Sequence, residues 1–325
     1  MKSVDQVLHQ LKDHLTDLES RRIDLWQQQQ QAISLIWLIL GFGGGLSLVG
    51  LLLLIVPGLI LGAITLFVAA VVYNYRITPL FQQYREDFKQ NFIAELLTST
   101  TDQMQYYPEG DRRILEEYFR SELFPAKPDR EKIEDAIFAR LGATDLVASE
   151  LHTEYRRETR DKNGKQNVSW HTIFQGLFIS ADFHKDFRGC TFVRTDVAEK
   201  FFGSWGRMFQ KPVFSNLQLI HLEDVDFERE FVVHSDDQIE ARYILSPAMM
   251  RRMLELKQKF SSRIEFSFLQ SRVFLAISHT EDFFEPELRQ SVLDPVYLRN
   301  HIQQVQLVLG VVEALDLNTR LWTKR

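Results

Sequence analysis

The chain has 325 residues, of which 45% are hydrophobic and 25% charged, with a formal net charge of −6 and a pI near 5.9. This composition excludes long disorder, and the acidic balance without a clustered basic patch excludes a dedicated nucleic-acid binder. One cysteine, Cys190, excludes an internal disulfide framework and a zinc site built on several cysteines, and fits a reducing compartment.

From the N-terminus, Val4, Leu8, Leu11, Leu15, Leu18 and Leu25 recur at steps of four and three, and Arg22 stands where the seam breaks. This is the stripe of a short coiled coil, and residues 1–31 read as an amphipathic helix. No residue is charged from Leu25 through Tyr75, and Ala32 to Tyr73 is almost wholly apolar. That is about twice the roughly 20 residues that one spanning helix needs, so 32–75 reads as a two-span transmembrane hairpin. A cleaved signal peptide is excluded, because the run is too long and an amphipathic segment precedes it. The turn belongs between Val49 and Gly58, since a turn at Gly41, Gly43, Gly44 and Gly45 would leave the first span too short. Those glycines, with Ser47, are then expected on the contact face between the spans, where small residues let helices approach. Arg21 and Arg22 precede the hairpin and Arg76, Arg85 and Lys89 follow it, whereas the turn carries no charge. The positive-inside rule then places both termini and the soluble bulk in the cytoplasm, with the bilayer as the hairpin's partner.

Beyond the hairpin, Ile77, Phe81, Tyr84, Phe88, Phe92 and Leu96 form a second helical stripe. The two stripes leave the membrane on one side and can pair in an antiparallel stalk; homo-oligomerisation through the first stripe is the alternative. "YYPEGD" (106–111) is expected to end that helix, a short helix to run from Asp111 to Phe124, and "PAKPD" to link onward. Residues 76–128 are thus a helical stalk and linker, and 129–325 a cytoplasmic domain. Lys132 to Leu151 is ambiguous between helix and strand. Asn163-Gly164 sits between two extended runs, a hairpin signature. "CTFVRT", "LQLIHLED" and the hairpin "SRIEFSFLQSRVFLAIS" read as further strands, and a helix from Asp294 to Leu317 closes the chain. The class is α+β with a mostly antiparallel sheet, because hairpins adjoin without long crossovers.

"EREFVVHSDDQIEARYILSPAMM" (228–250) is the densest cluster of reactive side chains. Ser235 followed by Gln238 has the spacing of a capping box, with Asp236 and Asp237 in the first turn, where acidic groups favour the unpaired amides. Ser246-Pro247 repeats the pattern for a second helix whose Met250, Leu254 and Leu256 can face the sheet. His234, Glu240, Arg242 and Tyr243 remain without a capping role and are the candidate ligand or partner contacts. No His-x-x-x-His, P-loop, dinucleotide fingerprint or Gly-x-Ser-x-Gly elbow occurs, and the residues nominate no catalytic, cofactor or metal set. Cys190 reads as a buried structural thiol, and His184 with Asp182 and Asp186 as polar strand or loop residues.

"SELHTEYRRETRDKNGK", "IFQGLFISADFHKDFRGCTFV" and "FEREFVVHSDDQIEARYILSPAMMRRMLELKQKF", in this order, resemble the DUF3137 family of bacterial membrane proteins. The resemblance implies an inner-membrane protein, sometimes encoded near LemA-type membrane proteins, and a β-hairpin across Asp135 to Glu158; it supplies no catalytic residues. Three functions follow as expectations: a membrane-anchored scaffold or binding module, an enzyme with a site dispersed around His234, Asp237 and Arg242, or a component of an envelope-stress or membrane-remodelling complex.

Overall fold

The structure, a computed structural model, describes residues 4–53, 55–99, 103–124, 126–160, 166–183, 185, 187–195, 216–279, 282–315 and 317. It divides into two compact units: Met1–Ser99 with Phe284–Gln303, and Thr100–Phe283 with Gln304–Arg325.

The first unit is helical. Helix α1 (Val4–Leu53) runs on without a break from the amphipathic segment into the apolar one. Helix α2 (Ile55–Val72) continues through a π turn (Tyr73–Ile77) into α3 (Thr78–Phe88), a second π turn (Lys89–Ile93) and α4 (Ala94–Thr98). Helix α1 thus ends at Leu53 and α2 begins at Ile55, both inside the range expected for the turn. Among the described residues, two helices are long and apolar enough to cross a membrane.

One register aligns the pair. His14 Nδ1 lies 3.7 Å from Glu95 and Arg21 Nη1 2.9 Å from Asp87; Gly43 abuts Thr65, and Gly62 abuts Ser47. The residue numbers in each pair add to 108 or 109, so the two helices run antiparallel along their described length. A Cβ at Gly43 would collide with the Thr65 side chain, whereas Gly41, Gly44 and Gly45 face open space. Only Gly43 and Ser47 of the expected contact set therefore make the seam. The reason is the 3.6-residue period, which turns the intervening glycines outward.

Below the apolar stretch both stripes are buried: Leu15 and Leu18 on α1, and Tyr84, Phe88, Phe92 and Leu96 opposite. The side chains of Val4, Leu8 and Leu11 lie outside the described residues. Segment 284–303 closes this base, with Phe88 6.4 Å from Tyr297 and 5.2 Å from His301 between ring centroids. Arg22, the residue that breaks the seam, is bidentate to Glu19 (2.9 and 2.7 Å) and donates to the Leu288 carbonyl at 2.7 Å. Glu285 accepts from Arg85 at 2.7 Å and from the buried Lys89 at 2.7 Å. A buried ammonium needs such a counter-charge to stay ionised.

Among the described residues the second unit holds a nine-stranded sheet in the order β1-β2-β3-β4-β9-β8-β5-β7-β6, with antiparallel pairings throughout. Its strands are β1 (Met104–Tyr107), β2 (Arg130–Leu141), β3 (Thr144–Arg160), β4 (Gln166–Asp182), β5 (Thr191–Thr195), β6 (Gln218–Ile220), β7 (Phe231–Ser235), β8 (Ile264–Leu269) and β9 (Arg272–Ser278). The helices are α5 (Arg113–Arg120), α6 (Val225–Glu230), α7 (Gln238–Ile244), α8 (Pro247–Phe260) and α10 (Val311–Ala314); α9 (Pro295–Leu309) begins in the first unit and ends in the second. The α+β class read from the sequence is the class observed.

Strands β5 and β8 are buried at every position, so both sheet faces are covered. On one face α5 and its tail pack Ile114, Tyr118 and Leu123 against Leu151, Phe174, Phe178, Phe192 and Phe274. Tyr118 keeps its hydroxyl satisfied at Thr153 Oγ1, 3.0 Å away. Gly176 has φ 142°, and a Cβ there would strike the Ile277 carbonyl, so only glycine lets β4 approach β9.

Several expectations are corrected. Tyr106 and Tyr107 lie in strand β1 rather than at a helix end, since the stalk helix stops at Thr98. The helix expected over 111–124 contracts to α5, whose start is held by Asp111 accepting from Arg113 N at 2.8 Å. The ambiguous 132–151 stretch is strand, in the β2–β3 hairpin that the family resemblance implies. The final helix is interrupted at Gly310. The Asn163-Gly164 turn lies outside the described residues, but Arg160 pairs with Gln166 on either side of it.

Candidate functional site

The 228–250 motif folds as strand, helix, helix. Strand β7 sets Ser235 deep in the sheet, where its hydroxyl lies 3.0 Å from Thr191 Oγ1 and accepts from Asp237 N at 3.1 Å. The N-cap of α7 is Asp237, whose carboxylate accepts from Ile239 N (2.9 Å) and Glu240 N (3.0 Å). The cap expected at Ser235 is thus displaced by two residues, because Ser235 is still in the strand, and no reciprocal capping box forms, since Asp237 N donates to Ser235. Asp236 is not a first-turn residue either: it accepts from Cys190 N at 2.7 Å and ties β5 to β7. Ser246 caps α8 as expected, accepting from Met249 N at 3.4 Å with Pro247 following. Met249, Met250, Met253 and Leu256 of that helix are buried.

The four candidate contacts are placed as follows. His234 sits in β7 between Phe192 of β5 and Leu219 of β6. Burial, reinforced by the nearby Arg194 charge, pushes its imidazole down to about 4, so it is neutral near pH 7. Glu240 accepts from the backbone of Arg188 (3.1 Å) and Gly189 (2.8 Å). Arg242 donates to the His221 carbonyl at 2.7 Å, and the Tyr243 ring receives the Lys185 ammonium 3.6 Å from its centroid. Glu240 and Tyr243 thus fasten α7 to the loop that holds Lys185, Arg188 and Gly189, and Arg242 fastens it to His221. Burial also raises the Cys190 thiol to about 12, with the Asp236 charge adding to it, which leaves it un-ionised and a poor nucleophile. His184 and Asp186 lie outside the described residues; Asp182 pairs in register with Arg272 at the end of β4.

A second constellation lies elsewhere in the sheet unit. Glu134, Glu150 and Asp282 bring carboxylate oxygens within 4.8 Å of one another, beside a cavity of about 230 Å³ that Lys132, His152, Gln175 and His279 also line. Glu150 is buried and accepts from Phe283 N; Lys132 pairs with Glu134, and His279 Nε2 stands 3.9 Å from Glu150. Like charges directly opposite across a strand pair are destabilising, so Lys132 supplies a needed counter-charge. Hard carboxylate oxygens in this number also suit a divalent cation of the calcium or magnesium class.

Spacing along the sequence could not find this group. From the Gly142 turn outward Ile137 faces Ala148, and the same register would set Glu134 against Leu151. A bulge between Glu134 and Ile137 shifts the pairing by one residue and sets Glu134 against Glu150 instead. At the bulge Asp135 has φ 53° and takes a hydrogen bond from the Tyr106 hydroxyl.

Residues 172–317, from β4 through α10, match the model of a family described as protein of unknown function, DUF3137, the family that the sequence resembles. Of the three blocks that carry the resemblance, "SELHTEYRRETRDKNGK" (149–165) lies before this match. No curated protein matches the chain. Among solved structures the chain is similar to the crystal structure of the mycobacterial trehalose monomycolate transport factor A, TtfA, at 8% identity and a TM-score of 0.34, over 70% of this chain and 93% of that one.

Proposed function

We propose that the chain is a membrane-anchored scaffold or binding module of the bacterial inner membrane, with the 32–75 hairpin in the bilayer and the sheet unit in the cytoplasm. One observation carries the anchoring: the hairpin turns its large apolar side chains outward, Phe42 being 76% and Phe67 69% exposed, while Gly43, Ser47, Gly62 and Thr65 fill its seam. That surface suits hydrocarbon as its solvent, with small residues where the two helices meet. The 22 residues from Ala32 to Leu53 rise about 33 Å, the thickness of a bilayer core. The basic residues flanking the hairpin support the cytoplasmic orientation.

The binding role rests on how the reactive residues are used. Glu240, Arg242 and Tyr243 hold one helix to its neighbours, which favours a presenting surface over a reaction centre. A LemA-type membrane protein is the partner the family resemblance suggests. The test is topological. A membrane-impermeant maleimide applied to intact spheroplasts should label a cysteine introduced at Val56 and spare one at Glu109; the reverse pattern would overturn the orientation. Exchanging 32–75 for an unrelated two-span anchor should leave capture of a stoichiometric partner intact. Loss of that capture would mean that the hairpin itself does the work.

A further inference from the structure

Strands β3 and β4 outrun their neighbours. The β2 pairing of β3 ends at Arg130 opposite Glu154, and the β9 pairing of β4 ends at Ser278 opposite Gly176. Beyond these, Tyr155 pairs with His171 and the ladder continues to Arg160 opposite Gln166. Six residue pairs therefore project as a two-stranded arm about 20 Å long at 3.3 Å per residue. Asp129 covers its first step by accepting from Arg156 N at 2.7 Å.

Such a ribbon is at best marginally stable in water alone, and this one has no buried face: Arg156 through Arg160 and Gln166 through Trp170 are exposed. Cross-strand partners share a face, so Arg156, Trp170, Val168, Arg160 and Glu158 lie on one side and Arg157 on the other. Trp170 is 40% and Val168 44% exposed, and the Arg130 guanidinium stacks 4.1 Å from the Trp170 ring. Arg156 pairs with Glu158 at 2.6 Å. The described residues of the arm thus hold three arginines to one carboxylate, a local basic cluster on a chain of net charge −6, and this corrects the expectation of no clustered basic patch.

We propose that this arm docks on an anionic phospholipid surface, with Trp170 and Val168 at the headgroup level and Arg156 and Arg160, on the same face, on lipid phosphates. Aromatic side chains favour the membrane–water boundary, and clustered arginines near a cytoplasmic leaflet are attracted by its negative potential. The inference rests on the anchoring reading, because the hairpin is what supplies a bilayer within reach; among anionic partners the observations favour lipid over nucleic acid for that reason.

The test uses the full chain in vesicles with Cys190→Ser and a nitroxide at Val168→Cys or, as a reference, at Phe42→Cys. Accessibility to lipid-soluble oxygen and to an aqueous nickel chelate is read by power saturation. The Phe42 label should sit in hydrocarbon in every vesicle, whereas the Val168 label should pass from water into the interface when phosphatidylglycerol is added to phosphatidylcholine. That passage should be lost in Arg156→Gln/Arg160→Gln and, in the unsubstituted arm, on raising salt. A Val168 label that stays in water with phosphatidylglycerol, contacts lipid regardless of charge and salt, or is immobilised by added oligonucleotide but not by vesicles overturns the proposal. A Phe42 label open to nickel instead overturns the anchoring reading, so the two failures are distinct.

Discussion

The helical hairpin and the sheet unit apply opposite rules to the same amino acids. In the sheet unit Phe178, Phe192, Phe266 and Phe274 are fully buried and most charges lie at the surface, Asp135, Glu150, Arg194 and Glu265 being buried exceptions. In the hairpin Phe42 and Phe67 point outward and the seam is made of Gly43, Ser47, Gly62 and Thr65. Ser47 meets its own need for a partner by donating to the Gly43 carbonyl at 2.7 Å. With the hairpin in lipid, as proposed, burial inside the molecule would measure exclusion from water only for the sheet. For the hairpin, satisfying each backbone group within the helix would matter more than hiding apolar atoms.

Substitutions that strike one region and spare the other sharpen this contrast. The largest effect belongs to Phe178→Ala, which empties a site between Tyr118 and Phe274. It should cost about 3–5 kcal/mol in urea unfolding of the detergent-solubilised protein and leave membrane integration unchanged. Leu66→Lys, outward in α2, should cost roughly 2.5–3.5 kcal/mol of insertion and make the protein extractable by alkaline carbonate, with the sheet's unfolding midpoint unmoved. If the lysine variant stayed in the pellet like the parent, the hairpin would not be spanning lipid.

A pH series on the parent and on His234→Gln separates His234 from His301, whose imidazole burial also pushes down. The folded value of His234 is pulled below the unfolded one, so the unfolded chain takes up the proton first. Stability should therefore be full above about 6.5, fall as pH drops toward 4, and level off below. The loss is at most about 3 kcal/mol and less after solvent screening; His234→Gln should flatten that part of the profile in unfolding titrations. The smallest effect is at the α7 cap. Asp237→Ala should cost about 1 kcal/mol and Asp237→Asn only a few tenths by thermal melting. Equal losses would show that charge, not the hydrogen bonds to Ile239 and Glu240, is what matters there.

What could be read from the sequence follows the range of the physics involved. The hairpin was legible because an uncharged run of this length has one common solution, and β8 and β9 because alternation over six residues is a local signal. The cap was misplaced by two residues because serine and aspartate both cap well. What separates them is whether the strand has ended, and the pairing of Ser235 with Thr191, 44 residues away, decides that. Glu134 and Glu150 could not be joined at all, since their meeting depends on a one-residue bulge that no spacing encodes. Tyr106 entered a strand because β2 offered an edge, a tertiary fact.

The closure of the helical base by residues 284–303 bears on the order in which the protein is made. Glu19 accepts from the amide of Val292, and Arg22 reaches the carbonyl of Leu288, across 273 and 266 positions of chain. At roughly 5–20 residues per second the ribosome needs on the order of 15 to 55 seconds between these partners. The first helix thus leaves the ribosome long before its partners do, and the base is completed only after the whole sheet has been synthesised. A nascent chain arrested before Glu285 would carry every residue of the hairpin but not the carboxylate that Arg85 and Lys89 share.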